Sequence, residues 1–251
     1  MKLFICQHLY IPLRTGPSHR AEMGSQILFG ERYEVVDTAG SYSLIRLLFD
    51  NYHGWIDNDH VIPVKADIDT DPKILAADTR VRLDENPPLI LPAGSELYAI
   101  TGDRMGFTNG TLSFRSDEPL ITAPLTGNPV KTASRYLNIP YLWGGRTYMG
   151  MDCSGLVQTV YKVHGVSLPR DSFIQAEAGT TINMLNESLP GDLLFFDNKQ
   201  GKITHVGMLY SEGVIIHCSG SVRLDIIDHQ GIFRRDLNRY THRLRLIKRV
   251  F

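Results

Sequence analysis

The chain is poor in cysteine, in tryptophan and in net charge. Its 251 residues hold 3 Cys and 2 Trp, and 26 Lys and Arg nearly cancel 27 Asp and Glu. Cys6, Cys153 and Cys218 are too few and too scattered for a disulfide framework, and no C-x-x-C pair offers a zinc site. Free thiols suit a reducing compartment. A formal net charge of −1 leaves no basic domain, so neither nucleic acid nor an anionic membrane surface is an expected partner. The N-terminal apolar run, Leu3 to Cys6, is broken by Gln7 and His8, then by Pro12 and Arg14. It falls short of the roughly 7–15 apolar residues of a secretory signal, and no small-residue cleavage site follows. No stretch reaches the roughly 20 apolar residues of a membrane span. The expected location is the cytoplasm; a secreted or periplasmic chain stripped of its signal would look the same.

What is present reads as several small domains. Residues 1–65 hold short β-rich segments, "RYEVVD", "SYSLIRLLF" and "HGWIDNDHVIPV", split by Gly40 and Asp50-Asn51, the spacing of a small barrel. Residues 66–78 read as a connector with one helical turn. Residues 79–126 repeat the style in "TRVRL", "GSELYAI" and "MGFTNGTLSFR", with Asn109-Gly110 as a hairpin turn. "GERYEVV" and "GSELYAI" are candidates for equivalent strands of two related barrels. The Pro- and Gly-punctuated "APLTGNPV" is a linker. Beyond it, from 127 to 251, the pattern changes to helices followed by antiparallel strands, an α+β arrangement. "NPVKTASRYLNI" and "CSGLVQTVYKVHG" are helical by period. In the second, Leu156, Val157, Val160, Tyr161 and His164 share a face and Gly165 takes the C′ place. The strands are "GDLLFFD", "ITHVGMLY", "GVIIHCSG" and "HRLRLIKRV", the last read as an edge or half-exposed strand from its alternating charge.

One constellation carries chemistry. Cys153 falls where a helix begins, with Asp152 or Ser154 as its N-cap. Unpaired N–H groups and the helix dipole favour a thiolate there; a buried filler is the plain alternative. A nucleophilic Cys needs a base. The hairpin "ITHVGMLY-SEG-VIIHC", with a Ser211-Glu212-Gly213 loop and Tyr210 facing Val214, sets Gly207 opposite His217. His205 then lies diagonally beside His217 on the same face. One imidazole serves as base and the other orients it. Zinc held by Cys153, His205 and His217 is the rival, disfavoured by the split ligands. Cys218 faces the other way, as packing.

These residues resemble the NlpC-type papain-like cysteine peptidases. "PYLWGGRTYMGMDCSGLVQTVYKVHGVSLPRDS", "LPGDLLFFD", "ITHVGMLY" and "IIHCSG" carry that family's W-G-G, D-C-S-G, L-P-R, P-G-D-L, H-V-G and H-x-S elements in order. The resemblance makes Cys153 the nucleophile, His205 the base and His217 the third catalytic residue. "GPSHRAEMGSQILFGERYEVV" and "YHGWIDND" resemble the bacterial SH3-like domain of γ-D-glutamyl-L-diamino-acid endopeptidases of the dipeptidyl-peptidase VI type. The implied architecture is multidomain, two small all-β SH3-like barrels followed by an α+β papain-like catalytic domain. The implied substrate is a murein tri- or tetrapeptide with a free N-terminal L-Ala, cut after D-glutamate and before the diamino acid. Its amine would be held by Glu22 and Asp171, with Tyr52, Tyr141, Asp152, Ser154 and Ser172 completing the substrate contacts. A removed amine needs such a carboxylate, because an unpaired buried charge costs several kcal/mol. No metal or organic cofactor is implied, and the protein is expected to be a monomer. Two rivals stay open: a D,L-endopeptidase or amidase on intact peptidoglycan, and a catalytically silent peptide-binding protein. Glu22 and Asp171 could instead be plain surface carboxylates, and Tyr52 a barrel-core aromatic. Trp55 and Trp143 read as core, and Arg170 as the partner of a structural carboxylate.

Overall fold

The computed structural model describes residues 2–64, 71–84, 86–102, 104–107, 110–116 and 118–251. They form two compact units, Met1–Leu125 and Thr126–Phe251. In the N-terminal unit a first sheet comprises β1 (Phe4–Ile5), β2 (Tyr10–Arg14), β3 (Met23–Leu28), β4 (Arg32–Ala39), β5 (Tyr42–Leu47) and β6 (His53–Asp57), in the order β1-β4-β5-β6-β2-β3. A second comprises β7 (Lys73–Ile74), β8 (Thr79–Leu83), β9 (Leu89–Leu91), β10 (Glu96–Thr101), β11 (Arg104–Phe107) and β12 (Gly110–Ser116), in the order β7-β10-β11-β12-β8-β9. The two orders are the same topology, and β4 of "GERYEVV" and β10 of "GSELYAI" hold the same place in it. Strand β2 alternates half-buried and buried residues, the period-two pattern of a sheet with one face on a core. Ile11, Leu13, Ile27, Tyr33 and Ile45 fill the first core. Ile5 of β1 and Phe29 of the turn after β3 join Leu75, Leu97, Tyr98 and Phe114 in the second. Residues 71–78 hold β7, paired with β10, in place of the expected helical turn; residues 65–70 lie outside the described residues. Gly110 pairs with Phe107 as the first residue of β12 and is not a central turn residue; Asn109 lies outside the described residues.

The C-terminal unit packs helices against a sheet. It contains α1 (Pro129–Ala133), β13 (Arg146–Thr147), β14 (Gly150–Met151), α2 (Cys153–Val163), α3 (Ser172–Gln175), β15 (Thr180–Ile182), β16 (Leu193–Asp197), β17 (Ile203–Ser211), β18 (Val214–Ser219), β19 (Ser221–Asp228), β20 (Gly231–Arg234) and β21 (Arg239–Arg249). The sheet runs β15-β21-β16-β17-β18-β19-β20, and β21 also pairs with β20, which closes a ring of strands. On the helix side Leu156, Val157, Val160 and Tyr161 of α2 pack with Leu193, Phe195, Val206, Met208 and Ile216. The opposite face buries Leu194, Phe196, Leu209, Ile215, Ile227 and Ile247.

Three expectations are corrected here. Helix α2 is buried along its whole length, so its single apolar face is replaced by burial all round, as for a helix enclosed by a core. Strand β21 is half-exposed, one of the two readings of it, but not an edge: it pairs with β16 and β15 on one stretch and β20 on another. Its arginines reach back to buried carboxylates, Arg243 to Asp197 and Arg249 to Asp192, each at 2.7 Å. Trp143 is 58% exposed, because it sits on the loop that leads into β13, while Trp55 is half-buried in β6. Gly165 follows α2 at φ 81°, the left-handed C′ conformation that glycine adopts freely.

Candidate active site

Helix α2 starts at Cys153 because Asp152 caps it. The Asp152 carboxylate accepts the Gly155 N–H at 2.7 Å and the Gly144 N–H at 2.8 Å. Arg170 closes the other side, with Nη2 to Asp152 Oδ2 at 2.5 Å and Nη1 to Ser154 Oγ at 2.8 Å. Arg170 is 2% exposed and Asp152 5%, so the pair is a desolvated ion pair supported by further hydrogen bonds. Gly155 is required by packing: a Cβ there would stand 2.1 Å from the Gly145 carbonyl oxygen.

The Cys153 thiol is buried, and burial pushes its pKa up to about 12; the Asp152 charge adds to the rise. Backbone hydrogen bonds from Val206 and Ser154, with the Arg170 charge, oppose it. Burial and the neighbouring carboxylate thus act against the thiolate that the helix start favours. The Val206 contact ties the sulfur to the residue that follows His205.

Strands β17 and β18 pair with Gly207 opposite His217 and Met208 opposite Ile216. Near the turn a bulge intervenes: Ser211, not Tyr210, faces Val214, so the loop is one residue shorter than expected. Gly213 takes φ 68° there, which suits glycine. The register brings the two imidazoles together. His205 Nε2 lies 2.8 Å from His217 Nδ1. His217 Nε2 lies 2.9 Å from Asp225 Oδ2 on β19. Arg223 in turn donates Nη2–H to Asp225 Oδ1 at 3.0 Å.

This order fixes the protons. Burial pushes the Asp225 carboxyl up, but the His217 and Arg223 hydrogen bonds outweigh it and hold it below 3.8. An ionised carboxylate only accepts, so His217 Nε2 carries the proton it receives. Burial lowers the His217 pKa, which keeps the ring neutral and leaves Nδ1 as an acceptor. His205 Nε2–H donates to it. Burial, then His217 and His242, hold His205 well below 6.5, so its Nδ1 is left as a lone pair. Each ring spends a nitrogen on the other, so the pair does not converge on a zinc ion with Cys153.

Sequence reasoning missed Asp225 and His242. The alternating "SVRLDIID" after the Gly220 turn was a strand signal, and pairing β18 with β19, His217 opposite Arg223, would have placed Asp225 beside His217. His242 of β21 stacks on His205 with ring centroids 4.2 Å apart and 26° between planes. Cys218 points to the helix side and donates its thiol to Met151 O at 3.1 Å, a packing role.

The remaining sequence candidates divide between the units. In the C-terminal unit Tyr141 is 36% exposed, and burial pushes its hydroxyl pKa up, with Cys153 and Asp152 adding to the rise. Asp171 is half-buried at the N-cap of α3, and Ser172 is its first residue. Ser154 is buried in the Asp152–Arg170 network. In the N-terminal unit Glu22 is exposed just before β3. Tyr52 packs on the first core, and a Cβ on Gly24 would stand 2.6 Å from its hydroxyl. Those two candidates thus flank one short stretch of β3.

A thiol on a helix start, tied to a strand whose histidine heads a His–His–Asp chain, is an arrangement suited to nucleophilic cysteine chemistry. Residues 138–240 match the model of the NlpC/P60 family. Residues 13–61 match that of the bacterial dipeptidyl-peptidase SH3 domain. Residues 138–240 thus carry an NlpC/P60 domain and residues 13–61 a bacterial dipeptidyl-peptidase SH3 domain. It is 28% identical over 229 residues to a γ-D-glutamyl-L-lysine dipeptidyl-peptidase of Bacillus cereus, spanning 78% of this chain and 67% of that protein. It is 26% identical over 264 residues to dipeptidyl-peptidase 6 of Lysinibacillus sphaericus, spanning 90% and 92%. In fold it is similar to the crystal structure of an NlpC/P60 family protein from Bacillus cereus ATCC 10987, with a TM-score of 0.83, 22% identity and 99% of each chain covered.

Proposed function

We propose that the protein hydrolyses the γ-D-glutamyl–diamino acid bond of murein stem peptides that carry a free N-terminal L-Ala. The single observation that carries the chemistry is the proton chain from Asp225 through His217 to His205, with Cys153 bonded to the next residue of the same strand. The name of the Bacillus cereus relative, a γ-D-glutamyl-L-lysine dipeptidyl-peptidase, supports the bond chosen. In this reading the second sheet is a second SH3-like barrel and the C-terminal unit an α+β papain-like domain.

The reaction is acyl transfer. His205 Nδ1 takes the Cys153 proton as the sulfur attacks the γ-carbonyl carbon of D-glutamate. Proton transfer accompanies attack, since the thiol starts protonated. The Cys153 backbone N–H, at a helix position without an intrahelical acceptor, stabilises the oxyanion. His205 returns the proton to the departing amine and the C–N bond breaks, leaving a thioester. Water, deprotonated by His205, releases the acid and restores the thiol. Asp225 keeps His217 in the tautomer that accepts from His205, an orienting role.

Within the C-terminal unit Asp171 is assigned to the substrate amine, with Tyr141, Asp152, Ser154 and Ser172 as further contacts; Glu22 and Tyr52 of the N-terminal unit are carried over as substrate residues on the resemblance alone. The test compares L-Ala-γ-D-Glu-diamino-acid peptide with its N-acetylated form, products read by mass spectrometry. Cleavage of the free-amine peptide alone, between Glu and the diamino acid, is expected. Equal cleavage of both removes amine recognition; with polymeric peptidoglycan as a third substrate, its cleavage alone removes the reading that the enzyme acts on released stem peptides.

A further inference from the structure

We propose that His242 is a positioning residue for His205: its ring lies face to face with the base and fixes the plane in which His205 meets Cys153 and His217. The inference rests on the acyl-transfer reading above and adds a residue to it. His205 must aim two nitrogens at once, Nε2 at His217 and Nδ1 at the thiol. The hydrogen bond to His217 Nδ1 at 2.8 Å fixes one atom of the ring but leaves it free to swing about that bond. A flat neighbour on one face removes that freedom. His242 supplies it at 4.2 Å between centroids and 26° between planes. Phe196 is tilted against His205 at 5.7 Å and 48°. His217 meets the pair nearly edge-on, at 86° to His205 and 80° to His242. Such offset and edge-on arrangements are the favoured geometries of aromatic rings.

His242 is itself held. Its Nδ1 lies 2.9 Å from Thr241 Oγ1, a hydrogen bond that anchors the ring. Its backbone pairs with Ile232 of β20, and Gly231 lets β20 close in, since a Cβ there would stand 1.8 Å from the His242 carbonyl oxygen. The ring is therefore delivered by the strand that closes the sheet. The charged and titratable groups that act on the stack are His217 on β18, Asp225 on β19 and Arg234 on β20. Burial and the neighbouring His217 bring His242 down to about 4, so it stays neutral and adds no charge beside the base at working pH.

The test uses two substitutions that both fill the space, His242→Phe and His242→Leu, in the full chain. Two readouts are taken: kcat and KM on the free-amine peptide, and the rate of Cys153 alkylation by iodoacetamide from pH 5 to pH 9. A phenyl ring keeps the flat face, and Leu does not. Since a misplacement of about 1 Å can cost on the order of a hundredfold, the Leu variant should lose about tenfold or more in kcat and in neutral-pH alkylation, with KM unchanged. The Phe variant should stay within about threefold of wild type in both. Wild-type behaviour in both variants overturns the inference, and so does an equal loss in both. If the Leu variant fails to fold, an impaired Phe variant alone overturns it and a wild-type one upholds it. Alkylation needs no peptide, so a wild-type protein that cleaves no stem peptide defeats the substrate reading while this contrast still decides the role of His242.

Discussion

Gly207→Ala is the sharpest probe of the histidine pair. Gly207 faces His217 across the β17–β18 ladder. A Cβ on residue 207 would stand 2.8 Å from His217 Cβ, 2.9 Å from the Ile216 carbonyl oxygen and 2.7 Å from Ile215 Cδ1. The Ile215 methyl can swing away. The other two atoms belong to the paired strand and can yield only if β18 shifts by about 0.6 Å, out to the 3.4 Å where ordinary contact begins. That shift carries His217 with it. The His205–His217 bond, now 2.8 Å, stretches to about 3.4 Å, past the range of a useful hydrogen bond. Overpacking costs ~1–3 kcal/mol of stability. The lost alignment should cost about tenfold or more in kcat, since a misplacement of about 1 Å can cost on the order of a hundredfold. The assay is kcat on the free-amine peptide at a temperature where circular dichroism shows the variant folded. Wild-type kcat in a folded variant would refute the argument that Gly207 opens the space for this pair.

Three other outcomes follow from the same geometry. Asp225→Ala leaves His217 Nε2–H without its acceptor and frees the tautomer, so kcat should fall by about 10²–10⁴-fold with little change in KM; a loss under about threefold would show that the chain ends at His217. Arg170→Met leaves the Asp152 carboxylate buried beside Cys153 without its cation, which should cost ~3–5 kcal/mol in urea unfolding; a loss below ~1 kcal/mol would mean the amide and hydroxyl donors suffice. Acid should destabilise the fold early. His242 is lowered from 6.5 to about 4, and His205 is also well below 6.5. A histidine whose folded pKa lies below its unfolded one stabilises fully above pH 6.5 and loses that stability as pH falls through the folded value, roughly 3 kcal/mol for His242 alone. Equal unfolding free energies at pH 7.5 and 4.5 would contradict this burial.

Much of the site was written in adjacent residues, and what was missed was not. Cys153 at a helix start follows from the Asp cap and the apolar period after it. The diagonal His205–His217 contact follows from strand register alone, and it survived the bulge at Ser211 because the bulge lies between the turn and the pair. His242 was out of reach, because it depends on β21 crossing to pair with both β16 and β20, a long-range closure that no local pattern announces. The same closure explains why "HRLRLIKRV" was misread as an edge: its charges signal exposure, but Asp192 and Asp197 wait inside for Arg249 and Arg243. Trp143 went wrong for a related reason. A large aromatic beside two glycines suggests packing, yet the glycines serve the turn into β13, and the Asp152 carboxylate collects the Gly144 N–H while the indole stays outside.

Whether Cys153 forms a bond to the substrate is the question beneath all the others. Rapid acid quench during turnover of the free-amine peptide, followed by intact-protein and fragment mass spectrometry, answers it. An adduct of the L-Ala-D-Glu acyl group mapped to Cys153, absent from Cys153→Ala together with all turnover, is the predicted result. Sustained turnover by Cys153→Ala would contradict the account.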